Sequence, residues 1–182
     1  FDTAVNTVVE SVDRLRDTSQ SHDRCSVVEV MGRRAGHIAI YAGISCGAIA
    51  TLIPERPHDL DRDVVSRMRA TLKTGKHHFI VIVAEGVGNT QEICNYIQEK
   101  TGIETRLTVL GHVQRGGTPT AKERVHASVM GVRAVELLEQ GKGNRVVGIQ
   151  NNRIVDYDIN EALDMVKDID EYLYKVAYEI SI

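Results

Sequence analysis

The spacing of apolar residues divides this chain into segments of helical and of strand-like character. The first segment has apolar residues at three- and four-residue intervals, which predicts an amphipathic helix ending near residue 17. Its stripe consists of Val5, Val8, Val9, Val12 and Leu15. Three short apolar runs, each with the length of a buried strand, follow at 25–31, 50–54 and 79–84. The last run, FIVIVA, is apolar at every position, which is typical of a parallel strand covered on both faces.

Segments with helical spacing separate these runs and follow them. They lie at 61–74, 90–100 and 119–140, and a glycine- and alanine-rich segment at 32–48 suits a helix packed closely on a sheet. Further on, RVVGIQ and RIVDYDI are predicted strands joined by a turn at Asn151–Asn152, and two short helices close the chain. This alternation predicts an α/β fold with a doubly wound, mainly parallel sheet.

The stretch 106–117, RLTVLGHVQRGG, combines a predicted strand with a polar, glycine-containing turn. The buried strand would use Leu107, Val109 and Leu110. After the turn, Thr118 is the predicted N-cap of the next helix and Pro119 its first residue. This stretch therefore places histidine, glutamine and arginine side chains between the end of a strand and the start of a helix.

Composition excludes some partners. The 22 basic and 25 acidic residues give a net charge of −3, so there is no general attraction to nucleic acid or to an anionic membrane. The sequence contains no apolar run of the roughly 20 residues that a membrane span needs. The three cysteines have no metal-binding spacing and are interpreted as reduced thiols of a cytoplasmic protein.

The predicted strands would bring a set of polar residues to one edge of the sheet. Ligands of open parallel sheets bind beyond the carboxyl ends of the strands. The residues placed there are Met31, Gly32, Arg33, Glu85, Gly86, Gly88, His112 and Arg115. Arginine binds phosphate through paired N–H donors, protonated histidine adds another donor, and a carboxylate suits sugar hydroxyls. Together these groups indicate a sugar phosphate better than a nucleotide.

Each of these residues also has a purely structural interpretation. A solvated arginine, a helix-capping glutamate or a packed histidine would each explain one of them. The pair Gly86 and Gly88 is a weak signal, because a dinucleotide-binding fingerprint needs a third glycine where Gln91 stands. Periodicity and edge position alone therefore leave the ligand open.

Three motifs carry a resemblance to a known family. They are VMGRRAG at 30–36, AEG at 84–86 and TVLGHVQRGGTP at 108–119. These motifs resemble bacterial ATP-dependent 6-phosphofructokinases, and the resemblance runs the whole length, from FDTAVNTV to the terminal EISI. It corresponds to a little more than the C-terminal half of such an enzyme. The opening within a predicted helix, without Met, likewise favours a fragment.

The resemblance implies a role for each residue at the sheet edge. His112 and Arg115 would hold the 6-phosphate of fructose 6-phosphate. The loop Met31–Arg33 would line the sugar site, with Arg33 near the transferred phosphoryl group, and Glu85 would bind sugar hydroxyls. A neighbouring subunit would donate two further arginines to the same phosphate, namely Arg24 and Arg106. The family therefore implies a homo-oligomer, a tetramer at full length.

The family's effector site for ADP or phosphoenolpyruvate lies between subunits. The positions that match it are Arg16, Gly47, Lys76 and His78. Two residues depart from the family pattern, because Ile49 stands where a glutamate is expected and Thr74 where a lysine is expected. Loss of a metal-facing carboxylate and a phosphate-facing lysine predicts a weak or altered response to effectors.

The resemblance also implies what lies outside this chain. The catalytic aspartate of a TIDND-like motif, the ATP loops and the Mg²⁺ ligand would precede Phe1, so the isolated chain is predicted to be inactive. Residues 1–113 and 165–182 would form the smaller, sugar-phosphate-binding lobe, and 114–164 would belong to the incomplete nucleotide-binding lobe. Residues 114–164 are predicted to be the less well packed part.

Two alternative functions remain open from the sequence. A pyrophosphate-dependent phosphofructokinase shares the sugar site and differs around the phosphoryl donor, which this chain would not contain. A non-catalytic sugar-phosphate-binding or regulatory domain would also explain an intact set of ligand residues.

Overall fold

The computed structural model describes residues 1–180 and divides them into two compact units. The first unit comprises 3–117 together with Phe1 and the residues from Ile169 onward, and the second comprises 118–168 with Asp2. The assignment of these units to the two lobes of a larger enzyme stays a prediction.

The first unit is built around a four-stranded sheet. Its strands are β1 (Cys25–Val30), β2 (Ala50–Leu52), β3 (Phe79–Ala84) and β4 (Thr105–Val109). All paired strands are parallel, and the order across the sheet is β2-β3-β1-β4. The helices of this unit are α1 (Asp2–Ser21), α2 (His37–Cys46), α3 (Ser66–Leu72), α4 (Thr90–Thr101) and α7 (Glu171–Glu179). The predicted α/β class with a mainly parallel sheet is confirmed.

Side chains of the two central strands alternate between two apolar clusters, one on each face of the sheet. On β3, Ile80 and Ile82 belong to the cluster that includes Val8 and Val12 of α1 and Ile40 of α2. The intervening residues belong to the other cluster, with side chains from α3 and α4: Phe79, Val81 and Val83. Every residue of β3 is buried, which confirms that the FIVIVA strand is covered on both faces.

The structure corrects several local predictions. Strand β4 lies at the edge of the sheet, so Val109 is 56% exposed and the predicted buried strand is wrong at that position. The predicted helix 61–74 is a π-helical turn, Asp61–Val65, followed by α3, and α1 continues to Ser21. The N-cap before the helix α5 (Ala121–Glu139) is Thr120 instead of Thr118, because Thr120 and Glu123 form a reciprocal capping box.

The second unit contains α5, a β-hairpin of β5 (Arg145–Gln150) and β6 (Arg153–Asp158), and α6 (Ile159–Asp164). The predicted turn at Asn151–Asn152 is confirmed, with φ values of 51° and 59° that suit a two-residue hairpin loop. Leu137 is the one buried hydrophobic residue of 118–168. Apolar residues remain exposed along α5, including Val125, Val132 and Leu138. The prediction of poorer packing in this part of the chain is confirmed.

No helix within residues 1–180 is both long enough and apolar enough to cross a membrane.

Candidate functional site

The loop that follows β1 is fastened to the end of β3 by Glu85. The Oε1 atom of Glu85 accepts hydrogen bonds from the backbone N–H groups of Gly32, at 3.0 Å, and Arg33. These two bonds lower the pKa of the Glu85 carboxyl, and the charges of Arg115 and Arg33 add to the effect. Glu85 is therefore an ionised carboxylate that orients the loop through one oxygen. Its Oε2 accepts no hydrogen bond from residues 1–180.

Gly86 brings its own backbone against the same loop. A Cβ atom at this position would lie 2.3 Å from the carbonyl oxygen of Arg33 and 3.0 Å from Cγ of Pro54. Arg33 itself has a φ of 55°, in the left-handed region that non-glycine residues seldom adopt. Close packing against Gly86 and the bonds to Glu85 together hold Arg33 in this conformation.

Gln114 holds the loop from the side of β4. Its Oε1 atom accepts a hydrogen bond of 2.8 Å from the backbone N–H of Met31. Gln114 lies in a 3₁₀-helical turn, Gly111–Arg115, that follows β4 and also carries His112 and Arg115. Gln114 is buried in this turn, whereas His112 and Arg115 are exposed. The turn thus offers an imidazole and a guanidinium to solvent while its buried amide contacts the loop that follows β1.

These contacts bring most of the predicted edge residues together. Glu85 links the backbone of Gly32 and Arg33 to the end of β3, and its pKa responds to the charge of Arg115. Met31 is tied to the turn that carries His112 and Arg115. The arrangement is an exposed surface with two guanidiniums, an imidazole and a carboxylate. It can bind an anionic group at one end and hydroxyl groups at the other.

Arg24 and Arg106 lie near the amino ends of the strands, at the end of the sheet opposite the residues described above. Glu104 joins the two arginines. The Arg24 Nε atom is 2.7 Å from Glu104 Oε2, and Arg106 Nε is 2.7 Å from Glu104 Oε1. Hydrogen bonds from Arg24 and then from Arg106 lower the pKa of the Glu104 carboxyl. Because Glu104 bridges them, the two guanidiniums lie side by side.

The strand register gives the separation between the two edges. Arg106 on β4 pairs with Ser26 on β1, and Met31 follows Ser26 by five residues. At about 3.3 Å per residue, the separation is about 17 Å along the strand. Arg106 and the loop at Met31 therefore lie far apart along the direction of the strands.

A third group of basic residues also lies at the amino edge of the sheet. Burial, and then the charge of Arg16, lower the pKa of Lys76. Burial lowers the pKa of His78 first, followed by the charges of Lys76 and Arg16, while Asp23 opposes them. Arg16 donates to the carbonyl of Cys46, directly before Gly47, the left-handed C-cap of α2. The four predicted effector residues are therefore brought together.

Within this group, the buried Nε atom of Arg16 has no hydrogen-bond partner among residues 1–180. The two departures from the family pattern lie nearby in the sequence. Ile49 is 1% exposed and packs in the apolar cluster that includes side chains from α3 and α4. The Thr74 hydroxyl donates a hydrogen bond of 2.7 Å to the Thr71 carbonyl. A glutamate introduced at position 49 would consequently bury a carboxylate, so Thr74 is the better position for testing the departures.

Sequence reasoning missed two residues of these groups. Gln114 is one of three polar side chains in its turn, and its sequence position gives no sign that it is buried while its neighbours are exposed. Glu104 was not singled out at all. The residue pattern Glu104-Thr105-Arg106 could have suggested it, since alternate residues of a strand share one face.

The cysteine and metal predictions concern the rest of the chain. All three cysteines are buried and unpaired, and burial raises the pKa of the Cys46 thiol to about 11. Within residues 1–180, no group of three or more His, Cys, Asp and Glu side chains is arranged to hold a metal ion.

Known proteins similar to this chain belong to one family. Residues 1–138 match the family described as Phosphofructokinase. An ATP-dependent 6-phosphofructokinase of Bacillus cereus is 54% identical over all 182 residues, and one of Bacillus cytotoxicus is equally similar. The chain spans 57% of the length of each of these relatives.

Solved structures show the same fold. A phosphofructokinase from Saccharomyces cerevisiae superposes with a TM-score of 0.82 at 29% identity, covering 98% of this chain and 25% of the other. A pyrophosphate-dependent phosphofructokinase from Marinobacter aquaeolei, at 18% identity, has a TM-score of 0.79 over 97% of this chain and 53% of the other. With its family match, its curated relatives and its fold in agreement, the chain belongs to the phosphofructokinase family.

Proposed function

We propose that this chain is the C-terminal part of an ATP-dependent 6-phosphofructokinase and supplies its fructose 6-phosphate site. The observation that carries the proposal is the loop Met31–Arg33, which is fastened to Glu85 and Gln114 beside the exposed Arg115. The longer protein would transfer the γ-phosphoryl group of ATP to the 1-hydroxyl of the sugar. The 54% identity to ATP-dependent relatives supports ATP as the donor.

The residues at the carboxyl edge would have complementary roles. Arg115 and His112 would bind the 6-phosphate, since a guanidinium offers paired donors to phosphate oxygens. The Oε2 atom of Glu85 would accept hydrogen bonds from sugar hydroxyls, while Oε1 keeps the loop in place. Arg33, held against Gly86, would stabilise negative charge on the phosphoryl group as it moves.

Arg24 and Arg106 would act on the phosphate of a neighbouring subunit. Arg106 lies about 17 Å along the strand from Met31, and Arg24 lies farther still, which favours a role for both in the site of a neighbouring subunit. Glu104 would keep both guanidiniums aligned until a phosphate arrives. Under this proposal the enzyme is a homo-oligomer, and the family resemblance favours a tetramer.

The nucleotide chemistry would belong to the part of the protein outside this chain. When bound there, Mg²⁺ would neutralise the charge that develops on the phosphates of ATP. Residues 118–168 would complete that nucleotide-binding lobe, and the apolar residues exposed on α5 would be covered by it.

The proposal is tested by calorimetry of fructose 6-phosphate with the full-length protein. Arg115→Ala is expected to weaken binding about 10- to 100-fold, because the loss of a charged hydrogen bond costs roughly 1.5–3 kcal/mol. Arg14→Ala, which removes an exposed arginine paired with Glu10 on α1, is the matched control and should bind normally. Unchanged affinity in Arg115→Ala, or no binding by the wild type, would contradict the proposed function.

The basic group at Arg16, Lys76 and His78 is proposed as an effector site for a phosphate-bearing ligand such as ADP or phosphoenolpyruvate. The lowered pKa values of Lys76 and His78 arise from burial and from repulsion within the group. A bound anion would relieve that repulsion and favour the protonated imidazole. The unpartnered Nε atom of Arg16 adds a donor.

This effector proposal predicts that ADP binding takes up protons. The pKa of His78 lies below its usual value of 6.5 in the free protein, and an anion would raise it. Affinity for ADP should therefore increase as pH falls from 8 to 6, by up to about tenfold for each unit of pKa rise. Calorimetry in two buffers of different ionisation enthalpy measures the uptake. His78→Gln should abolish it, and a wild type without proton uptake would refute the assignment.

A further inference from the structure

Gln114 differs from the other polar residues of its turn in being buried. It is 2% exposed, and its Oε1 atom accepts the 2.8 Å hydrogen bond from the Met31 N–H. This bond fixes the orientation of the amide, because the reversed orientation would set an NH₂ donor against the N–H donor of Met31. The Nε2 atom must then point away from Met31.

The Nε2 atom of Gln114 is buried and has no hydrogen-bond acceptor among residues 1–180. A buried donor without a partner destabilises the fold, and an apolar side chain of similar size would avoid that cost. Packing alone therefore does not explain an amide at this position. What the amide adds is the acceptor for Met31.

The bond joins two segments that would grip opposite ends of one ligand. On one side is the loop Met31–Arg33, whose other attachment is Glu85. On the other side is the turn Gly111–Arg115, which carries His112 and Arg115. The β1–β4 ladder and the Leu110 N–H bond to the Glu29 carbonyl end just before these two segments, and the Gln114 bond joins the loop Met31–Arg33 directly to the turn Gly111–Arg115.

We propose that Gln114 is a positioning residue that sets the distance between the loop Met31–Arg33, which would contact the sugar, and the turn Gly111–Arg115, which would bind the phosphate. The inference rests on the proposed function and adds a residue that touches no substrate. A sugar phosphate has a fixed length, so loop and turn must be held at a matching separation for both ends to bind at once. Loss of this hydrogen bond should therefore weaken substrate binding more than it lowers the turnover rate of the bound substrate.

The test uses Gln114→Met in the full-length protein, which keeps the side-chain length and removes the amide. The KM for fructose 6-phosphate should rise about tenfold, as for the loss of one hydrogen bond, with kcat changed less than about threefold. Amide hydrogen exchange at Met31 should become faster. Gln91→Met is the matched control, because Gln91 is an exposed amide whose Nε2 donates to Asn95 on α4. It should change neither quantity.

Different failures are distinguishable. If exchange at Met31 becomes faster and the KM does not change, the link exists but does not position substrate, and the inference is wrong. If exchange does not change, the link itself is refuted. If the wild type does not bind fructose 6-phosphate, the proposed function fails, and exchange still reports on the link. Gln114→Leu, whose side chain has no acceptor atom at all, serves as the second variant should Gln114→Met fail to fold.

Discussion

Replacing Gly86 with alanine is expected to lower kcat/KM for fructose 6-phosphate by about 100-fold in the full-length protein. The added Cβ would lie 2.3 Å from the carbonyl oxygen of Arg33, and backbone cannot move aside as the end of a flexible side chain can. The loop Met31–Arg33 must shift, and the Arg33 guanidinium and the two hydrogen bonds to Glu85 shift with it. A displacement of about 1 Å in a substrate-positioning segment costs on the order of 100-fold in rate.

Steady-state kinetics with Gly86→Ala and Gly143→Ala separates this effect from a general loss of glycine flexibility. A Cβ at Gly143 would meet no atom within 4 Å, so this control should retain wild-type kinetics. Thermal unfolding of both variants shows whether the loop shift also destabilises the fold. A Gly86→Ala enzyme with kcat/KM within about threefold of wild type would mean that the loop tolerates the shift, contrary to the assigned role.

The sequence predicted the sheet well because its central strands are unambiguous. A strand that is apolar at every position, such as 79–84, is removed from water only if both of its faces are covered. The two apolar clusters around β3 provide this cover. The edge strand was the weak point. Val109 continues an apolar pattern, but strand order across the sheet is not encoded in local periodicity, so its exposure could not be predicted.

The candidate site was predictable in position and less so in its internal contacts. The rule that ligands bind beyond the carboxyl ends of parallel strands selected Glu85 and Arg115 without reference to any family. The rule does not predict which side chains form hydrogen bonds with the backbone. Glu85 Oε1 and Gln114 Oε1 are both occupied by the loop after β1, over sequence separations that no short motif spans.

Two variants that each bind fructose 6-phosphate weakly are expected to regain wild-type affinity in part of their sites when they assemble together. Arg115→Ala and Arg106→Ala should each weaken fructose 6-phosphate binding about 10- to 100-fold, as charged hydrogen bonds to phosphate are lost. If Arg106 acts in the neighbour's site, a mixed pair contains one site with neither arginine and one site with both. The second site belongs to the Arg106→Ala subunit, which keeps its own Arg115 and receives Arg106 from its partner.

Co-expression with two affinity tags and purification of the doubly tagged hybrid gives the sample for this measurement. In a two-fold interface the exchange is reciprocal, so about half of the sites in each mixed pair should regain wild-type affinity for fructose 6-phosphate. A hybrid of Arg115→Ala with the Arg106→Ala/Arg115→Ala double variant is the control, because each of its sites lacks Arg115. Were both arginines to act within one subunit, the first hybrid would stay as impaired as its parents.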